Sequence, residues 1–418
     1  MATRNTQRSI FVYADWHGLG GPVLMGTLKV TQVRKEVFSF EYDEAWLKSG
    51  KAQHLDPDLQ LSTGAQYLGG DKHNFGSFLD SSPDRWGRVL MDRREAIIAR
   101  KEGRKPNALW ETDYLSGVYD GHRMGAVRFK ENPEGPFLNN NKDMASPPWT
   151  SIRELEHASL EFEKDTDGNT SKWIDILFDP GSSLGGARPK ASVIDTKGKP
   201  WIAKFPSLND STDIGAWEMV VHELALKAGL NVTESTTGKF YSKQHTFLTR
   251  RFDRIGKGSR LHFASAMTLL GYTDGAGYKE GVSYLELAEF IMRNGSSPND
   301  DLEELWKRIV FHICVSNTDD HLRNHGFLLE EKGWRLSPAF DINPVAKGAG
   351  LSLNISEKDN SLHLDLAREV APYFRVKSDK SEAIIKEVTR VVTQWSAVAE
   401  KYGISKPERE LMATAFRI

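Results

Sequence analysis

The chain has 418 residues, with 55 Lys and Arg against 57 Asp and Glu, 39 % hydrophobic and 27 % charged residues. That is length enough for two or three domains with buried cores, in the composition range of globular proteins. A net charge of −2 argues against a nucleic-acid binder by overall charge, while a local basic patch stays open. The one cysteine, Cys314, rules out a disulfide within the chain and fits a reducing compartment. Its apolar setting, Ile309 to Val315, is that of a small buried hydrophobe. Met1 to Ser9 is polar and lacks the apolar core of a signal peptide. No apolar run reaches the ~20 residues of a membrane span, so the expected location is the cytoplasm.

In chain order, Ser9 to Asp15, Met25 to Val30 and Val37 to Tyr42 alternate as strands and predict a small antiparallel sheet. Phe75 to Ile98 has helical character, with Ser82-Pro83 as a start and Trp86, Val89 and Leu90 on one face. Asn132 to Trp149, rich in Pro, Asn and Gly, reads as a linker and the first domain boundary. Trp173 to Phe178 leads into a glycine-rich stretch, Asp179 to Lys190. Ala191 to Ile194 and Pro200 to Phe205 form a hairpin across Thr196-Lys-Gly198-Lys. Ile214 to Ala228 is an amphipathic helix closed by Gly229. Phe240-Tyr241 and His245 to Thr249 read as further strands. Beyond Arg254 the pattern is mostly helical: Tyr284 to Arg293, Leu302 to Val315, and one long helix from Ser381 to Tyr402 ended by Gly403.

Chemistry concentrates in Asn317-Thr-Asp319-Asp320-His321-Leu-Arg323-Asn324, followed by Leu336-Ser-Pro-Ala-Phe340-Asp341. An Asp and an Asn five positions apart, then a second Asp beyond an apolar segment, is the spacing of a kinase catalytic loop and its metal-binding Asp. Phosphoryl transfer needs a carboxylate near the attacking hydroxyl and hard oxygen ligands for Mg²⁺. Either Asp319 or Asp320 can be the base on adjacency; the interval to Asn324 favours Asp319. The set His312, His321 and His325 does not follow the order of a zinc motif.

Upstream, small residues and two cations in Ser183-Leu-Gly185-Gly186-Ala187-Arg188-Pro-Lys190 suit a phosphate cradle, although a glycine-rich surface turn has the same composition. Lys204 interrupts the apolar run Trp201 to Phe205, where a lysine is costly unless paired. Glu218 is its best helix partner, with Glu223 next. Arg250-Arg251-Phe252-Asp253-Arg254 then takes the place of a hinge beside a nucleotide base, with Phe252 placed to pack on it.

Together these pieces resemble the HipA family, the serine/threonine-kinase toxins of bacterial type II toxin–antitoxin systems. The family's Ser-x-x-Gly-Ala-x-x-Lys is similar to Ser183 to Lys190. Its Thr-Asp-x-His-x-Lys-Asn loop is similar to Thr318 to Asn324, with Arg323 for Lys. Its Leu-x-Pro-x-Tyr/Phe-Asp motif is similar to Leu336 to Asp341, and Ser82-Pro83-Asp84-Arg-Trp86 resembles its first domain. Arg250 departs from the family's hinge Glu, and Gly185-Gly186 and Arg188 from its commoner loop residues.

The resemblance implies an α+β, protein-kinase-like fold. It would comprise an N-terminal β-rich subdomain (1–145), a mixed α/β N-lobe with the phosphate loop (146–254) and an all-helical C-lobe (255–418). It implies ATP and Mg²⁺ as cofactors, Asp319 as base, Asn324 and Asp341 as metal ligands, and Lys204 on the phosphates. Gly185, Gly186, Ala187, Arg188, Lys190, Arg251, Phe252 and His321 would serve the nucleotide. Ser183, or adjacent Ser182, would be autophosphorylated, adding roughly −1.5 to −2 charge inside the phosphate loop. The implied partners are a small helix-turn-helix antitoxin, operator DNA through it, and a substrate such as an aminoacyl-tRNA synthetase. A small-molecule kinase and an antitoxin-bound co-repressor are the alternatives.

Overall fold

Alternating apolar residues near the start of the chain line one face of a sheet. Ile10, Val12, Leu28, Val30, Phe38 and Phe40 are each 3 % exposed or less. The computed structural model describes residues 6–32, 34–70, 72–141, 145–165, 173, 176–177, 186–256 and 258–418. In it β1 (Thr6–Ala14), β2 (Val23–Gln32), β3 (Glu36–Tyr42), β4 (Ala65–Tyr67) and β5 (Val127–Lys130) form an antiparallel sheet in the order β4-β3-β2-β1-β5. Ile10, Leu28 and Phe40 stand in one row across three strands. In the neighbouring row a Cβ on Gly26 would lie 2.3 Å from the Glu41 carbonyl, so only glycine fits there.

The chain divides into two compact units, Met1–Ala203 with Asp253–Ala264, and Lys204–Phe252 with Ser265–Ile418. In the first, short helices α1 (Glu44–Lys48) and α2 (Gly76–Leu79) precede α3 (Arg85–Lys101), and α4 (Glu111–Gly117) follows it. Asp84 caps α3, its Oδ1 accepting the Gly87 N–H at 2.7 Å. Trp86, Leu90 and Ile97 pack on Ala158 and Phe162 of α5 (Ile152–Lys164). Val89 is 48 % exposed, which corrects the expected face: with Leu90 and Ile97 at its centre, Val89 falls to the side. Strands β6 (Lys190–Ile194) and β7 (Pro200–Lys204) follow as neighbours. Their turn closes where the Asp195 N–H meets the Lys199 carbonyl at 3.0 Å.

The second unit opens with α6 (Ile214–Lys227), which buries Trp217, Val220, Val221 and Leu224. Each such side chain contributes roughly 1.5–3 kcal/mol by leaving water. Strands β8 (Ser235–Gly238) and β9 (Thr246–Arg250) pair with Gly238 opposite Thr246. That register leaves Phe240-Tyr241 in the turn, not in the strand expected there. The β10 (Arg254–Ile255) and β11 (Ser259–Arg260) hairpin belongs to the first unit, and β12 (Phe263–Ser265) leads out of it.

Helices α7 (Ala266–Leu269), α8 (Tyr284–Asn294) and α9 (Pro298–Val315) come next. Hairpin β13 (Gly326–Glu330) and β14 (Gly333–Leu336) then lies within the helical region, from two segments whose composition is strand-like. After α10 (Leu364–Val370), the long helix expected over Ser381 to Tyr402 is two, α11 (Ser378–Val392) and α12 (Trp395–Lys401). The break follows the β-branched run Val391-Val392-Thr393, poor helix formers. It turns Trp395 flat onto Phe416, with ring centroids 4.4 Å apart and 2° between planes. Helix α13 (Lys406–Met412) leads to that residue.

Candidate active site

Lys204 ends β7 with its ammonium between two carboxylates, 2.5 Å from Glu218 Oε1 and 2.7 Å from Asp341 Oδ1. Glu218 is 3 % exposed on α6, whose N-terminus Asp213 caps through the Ala216 N–H at 3.2 Å. Burial alone would lower the Lys204 pKa, but Asp341 and Glu218 hold it well above the usual lysine range. The ammonium therefore stays charged. Glu223, the other sequence candidate, faces elsewhere, bonded to Lys401 Nζ and the Tyr402 hydroxyl at 2.7 Å each.

The loop after α9 separates two adjacent carboxylates. Asp320 is 2 % exposed. Its Oδ2 lies 2.8 Å from His312 Nδ1 and 2.8 Å from His325 Nε2, and it also accepts the Tyr284 hydroxyl. Burial alone would raise its pKa, but His312 and His325 hold it well below the usual carboxylate range. Burial and Asp320 push the Tyr284 phenol well up, so it remains a donor. Asp320 is thus an anchor with its acceptor capacity used inward. Asp319 beside it is exposed. Its backbone carbonyl accepts the His321 N–H and Asn324 Nδ2, each at 3.0 Å. His321 supports the turn through its backbone, its carbonyl also taking the Asn324 N–H at 2.8 Å, while its buried Nδ1 makes no hydrogen bond among the described residues.

Asp341 is reached from β14 through fixed contacts. Asp301 Oδ2 takes the Leu336 N–H at 3.0 Å, Arg308 Nη2 donates to the Ser337 carbonyl at 2.7 Å, and Ala339 N–H donates to the Asn231 carbonyl at 2.7 Å. Asp341 itself has φ 58°, a left-handed conformation costly for a residue with a side chain and concentrated at functional positions. Asn343 Nδ2 lies 3.3 Å from Asp341 Oδ1, and its backbone N–H donates to Asn317 Oδ1 at 3.2 Å. The Asn317–Asn343 link thus ties the loop bearing Asp319 to the segment bearing Asp341. The sequence pattern assigned no site role to Asn317, Asn343, Tyr284 or Arg308. Two asparagines, each two positions from a key aspartate, were the available signal.

Of the glycine-rich stretch, Ser182, Ser183 and Gly185 lie outside the described residues. Gly186 has φ +89°, and its carbonyl accepts the Trp86 N–H at 3.3 Å. Ala187 is exposed and Arg188 half-buried. Lys190 is 2 % exposed, with Nζ 2.8 Å from Asp84 Oδ2 and 3.2 Å from the Gly186 carbonyl. It is thus held within the first unit rather than presented to solvent. Arg251 is buried, and the Phe252 ring packs 5.6 Å from that of Phe340, the neighbour of Asp341.

The donors suit a hard divalent cation. Asn324 commits Nδ2 to the Asp319 carbonyl, which leaves its amide oxygen as the end that could meet a cation. The Asp341 side chain is 33 % exposed. One carboxylate and one amide oxygen is the protein share Mg²⁺ takes when phosphates and water supply the rest. Among the described residues no helix is long and apolar enough to cross a membrane.

The fold is of the HipA kinase-like α+β class. A solved Shewanella oneidensis structure, a toxin–antitoxin complex of HipA, HipB and operator DNA, aligns over 96 % of this chain and 94 % of its own. The TM-score is 0.64 at 17 % identity. Residues 182–395, just over half of the chain, match the family described as the HipA-like C-terminal domain, and the chain belongs to that family. It is also similar to two proteins named "Putative kinase". The Haemophilus influenzae protein is 25 % identical over 185 residues, 40 % of this chain and 53 % of that one. The Sinorhizobium fredii protein is 26 % identical over 185 residues, 38 % of this chain and 41 % of that one. The chain therefore spans about half the length of these relatives.

Proposed function

We propose that this chain is an ATP- and Mg²⁺-dependent protein serine/threonine kinase acting as the toxin of a type II toxin–antitoxin system. The observation that carries this is the Glu218–Lys204–Asp341 bridge, tied through Asn343 and Asn317 to the loop of exposed Asp319. Phosphoryl transfer depends mainly on positioning and charge stabilisation. Lys204, kept charged and aimed by Glu218, meets the nucleotide phosphates. Asn324 and Asp341 hold Mg²⁺, which when bound neutralises phosphate charge. Asp319 takes the proton of the attacking hydroxyl. Gly185, Gly186, Ala187 and Arg188 cradle phosphates, and Arg251, Phe252 and His321 serve the nucleotide. Lys190, paired with Asp84, acts by fixing the downstream end of that loop. Ser183 is the site of autophosphorylation.

The division into 1–145, 146–254 and 255–418 is the lobe assignment that goes with this reading. The relatives' names support the enzyme class. The HipA–HipB–operator assembly supports a HipB-like antitoxin partner that brings operator DNA, and a cytoplasmic place of work. The substrate we assign is a translation component such as an aminoacyl-tRNA synthetase. The test is incubation with γ-labelled ATP and cell extract, with modified peptides mapped by mass spectrometry. Label on Ser183 and on a second protein is the expected result. Label on small molecules alone would replace the reading with a small-molecule kinase. No label despite confirmed ATP binding and an initially unphosphorylated loop would end it.

A further inference from the structure

Residues 405–417 meet α6, the loop before Asp319 and the segment after Asp341. Ser405 caps α13. One turn on, Glu408 Oε1 accepts the Asp213 N–H at 2.8 Å and Trp217 Nε1 at 2.9 Å. A carboxylate is thus placed at the N-terminus of α6, the helix bearing Glu218, where the helix dipole favours it. Phe416 stacks on Trp395 and lies 6.0 Å from the ring of Trp217, the neighbour of Glu218. The Thr414 hydroxyl donates to the Ala346 carbonyl.

Arg417 completes the strap. Its N–H donates to the Cys314 carbonyl at 2.8 Å, its Nε to Ser316 Oγ at 3.1 Å, and its Nη2 to the Gly348 carbonyl at 2.9 Å. Ser316 lies three positions before Asp319, and Gly348 lies against Thr318, the residue preceding it. Ser316 is fully buried with φ 48°, a strained conformation that persists only where its surroundings fix it. Its own carbonyl takes the Val345 N–H at 3.1 Å. Gly348 packs so closely on Thr318 that a Cβ there would lie 2.2 Å from Thr318 Cγ2. The guanidinium therefore grips the loop before Asp319 and the segment pressed against Thr318.

We propose that Arg417 is a positioning residue that holds the Asp319 loop in register with the segment following Asp341, and that residues 405–417 tie both to α6. Arg417 touches neither Asp319 nor Asp341; it acts through Ser316 and Gly348. Its role in catalysis rests on the kinase reading above; its role in loop geometry does not.

The test compares wild type, Arg417→Ala and Arg417→Lys. Arg417 is exposed, so the substitutions leave the core intact. Amide hydrogen exchange is measured first, without nucleotide. Arg417→Ala should speed exchange in residues 314–325 and 341–349, with α8 and β1–β3 unchanged; Arg417→Lys, able to keep one of the two side-chain bonds, should fall between. Unchanged exchange in both segments, or a uniform rise across the second unit, would overturn the proposal. Phosphate transfer is measured next. Loss of alignment should lower kcat about 10- to 100-fold with KM for ATP nearly constant, and the Lys variant should recover part of the rate. An equal loss of ATP affinity with kcat unchanged would overturn the catalytic half. If wild type with an unphosphorylated loop binds ATP but transfers no phosphate, the kinase reading fails and the exchange result still decides the loop geometry.

Discussion

Two lysines bracket the β6–β7 hairpin in opposite settings. In the first unit Lys190 faces one carboxylate, Asp84, and the two side chains are 2 % and 0 % exposed. In the second Lys204 faces two, Glu218 and Asp341, and the Asp341 side chain is 33 % exposed. The first pair is closed to solvent. The second sets two carboxylates on one ammonium, one of them partly open to solvent. Ion pairs of the first kind fix a backbone, because separating them strands a charge. Those of the second kind leave something for a ligand to complete.

Lys190→Met should produce the largest change. It takes the Lys190 ammonium away from the fully buried Asp84 carboxylate, a loss of about 3–5 kcal/mol in urea unfolding. Adding Asp84→Asn should restore part of that stability. If Lys190→Met is as stable as wild type, the closed pair has no structural role. Asn343→Ala sharpens the open side. It removes the support behind Asp341, and calorimetry should find ATP affinity in Mg²⁺ lowered by roughly 10- to 100-fold with the melting temperature little changed. Unaltered affinity would separate Asn343 from the metal site.

Glu223→Gln supplies a reference pair away from the site, with the smallest effect, about 1 kcal/mol or less. Burial alone would raise the Glu223 pKa, but Lys401, Tyr402 and Lys227 bring it from 4.5 to about 2. A carboxylate with a lowered folded-state pKa stabilises fully above its unfolded value and loses that contribution as pH falls through the folded one. The gap in melting temperature between wild type and Glu223→Gln should therefore be widest above about pH 4.5 and close toward pH 2. A gap constant over that range would contradict the pairing.

What could be read before the structure was whatever short-range pattern encodes. Alternation marks β1 to β3, helical spacing marks α6, α8 and α9, and the interval from Asp319 to Asn324 marks the loop. Lys204 and Glu218 were pairable because strand and helix are neighbours in the chain. The hidden parts depend on tertiary contact. The pairing of Lys190 with Asp84, 106 positions away, has no local signature. Asp319 and Asp320 are indistinguishable by adjacency; His312 and Tyr284, each supplied by a different helix, separate them. Nothing in the local pattern of Phe416 or Arg417 announces their grip on Trp217, Ser316 and Gly348.

The most direct test of the site is phosphate transfer from γ-labelled ATP by Asp319→Asn beside Asp320→Asn, each with its melting temperature. Asp319→Asn should lose transfer by about 10²- to 10⁴-fold and melt like wild type, because that carboxylate is exposed. Asp320→Asn should melt lower and, below that temperature, keep more transfer than Asp319→Asn, because its buried carboxylate is engaged by His312, His325 and Tyr284. Full transfer by Asp319→Asn would contradict the assignment of the site.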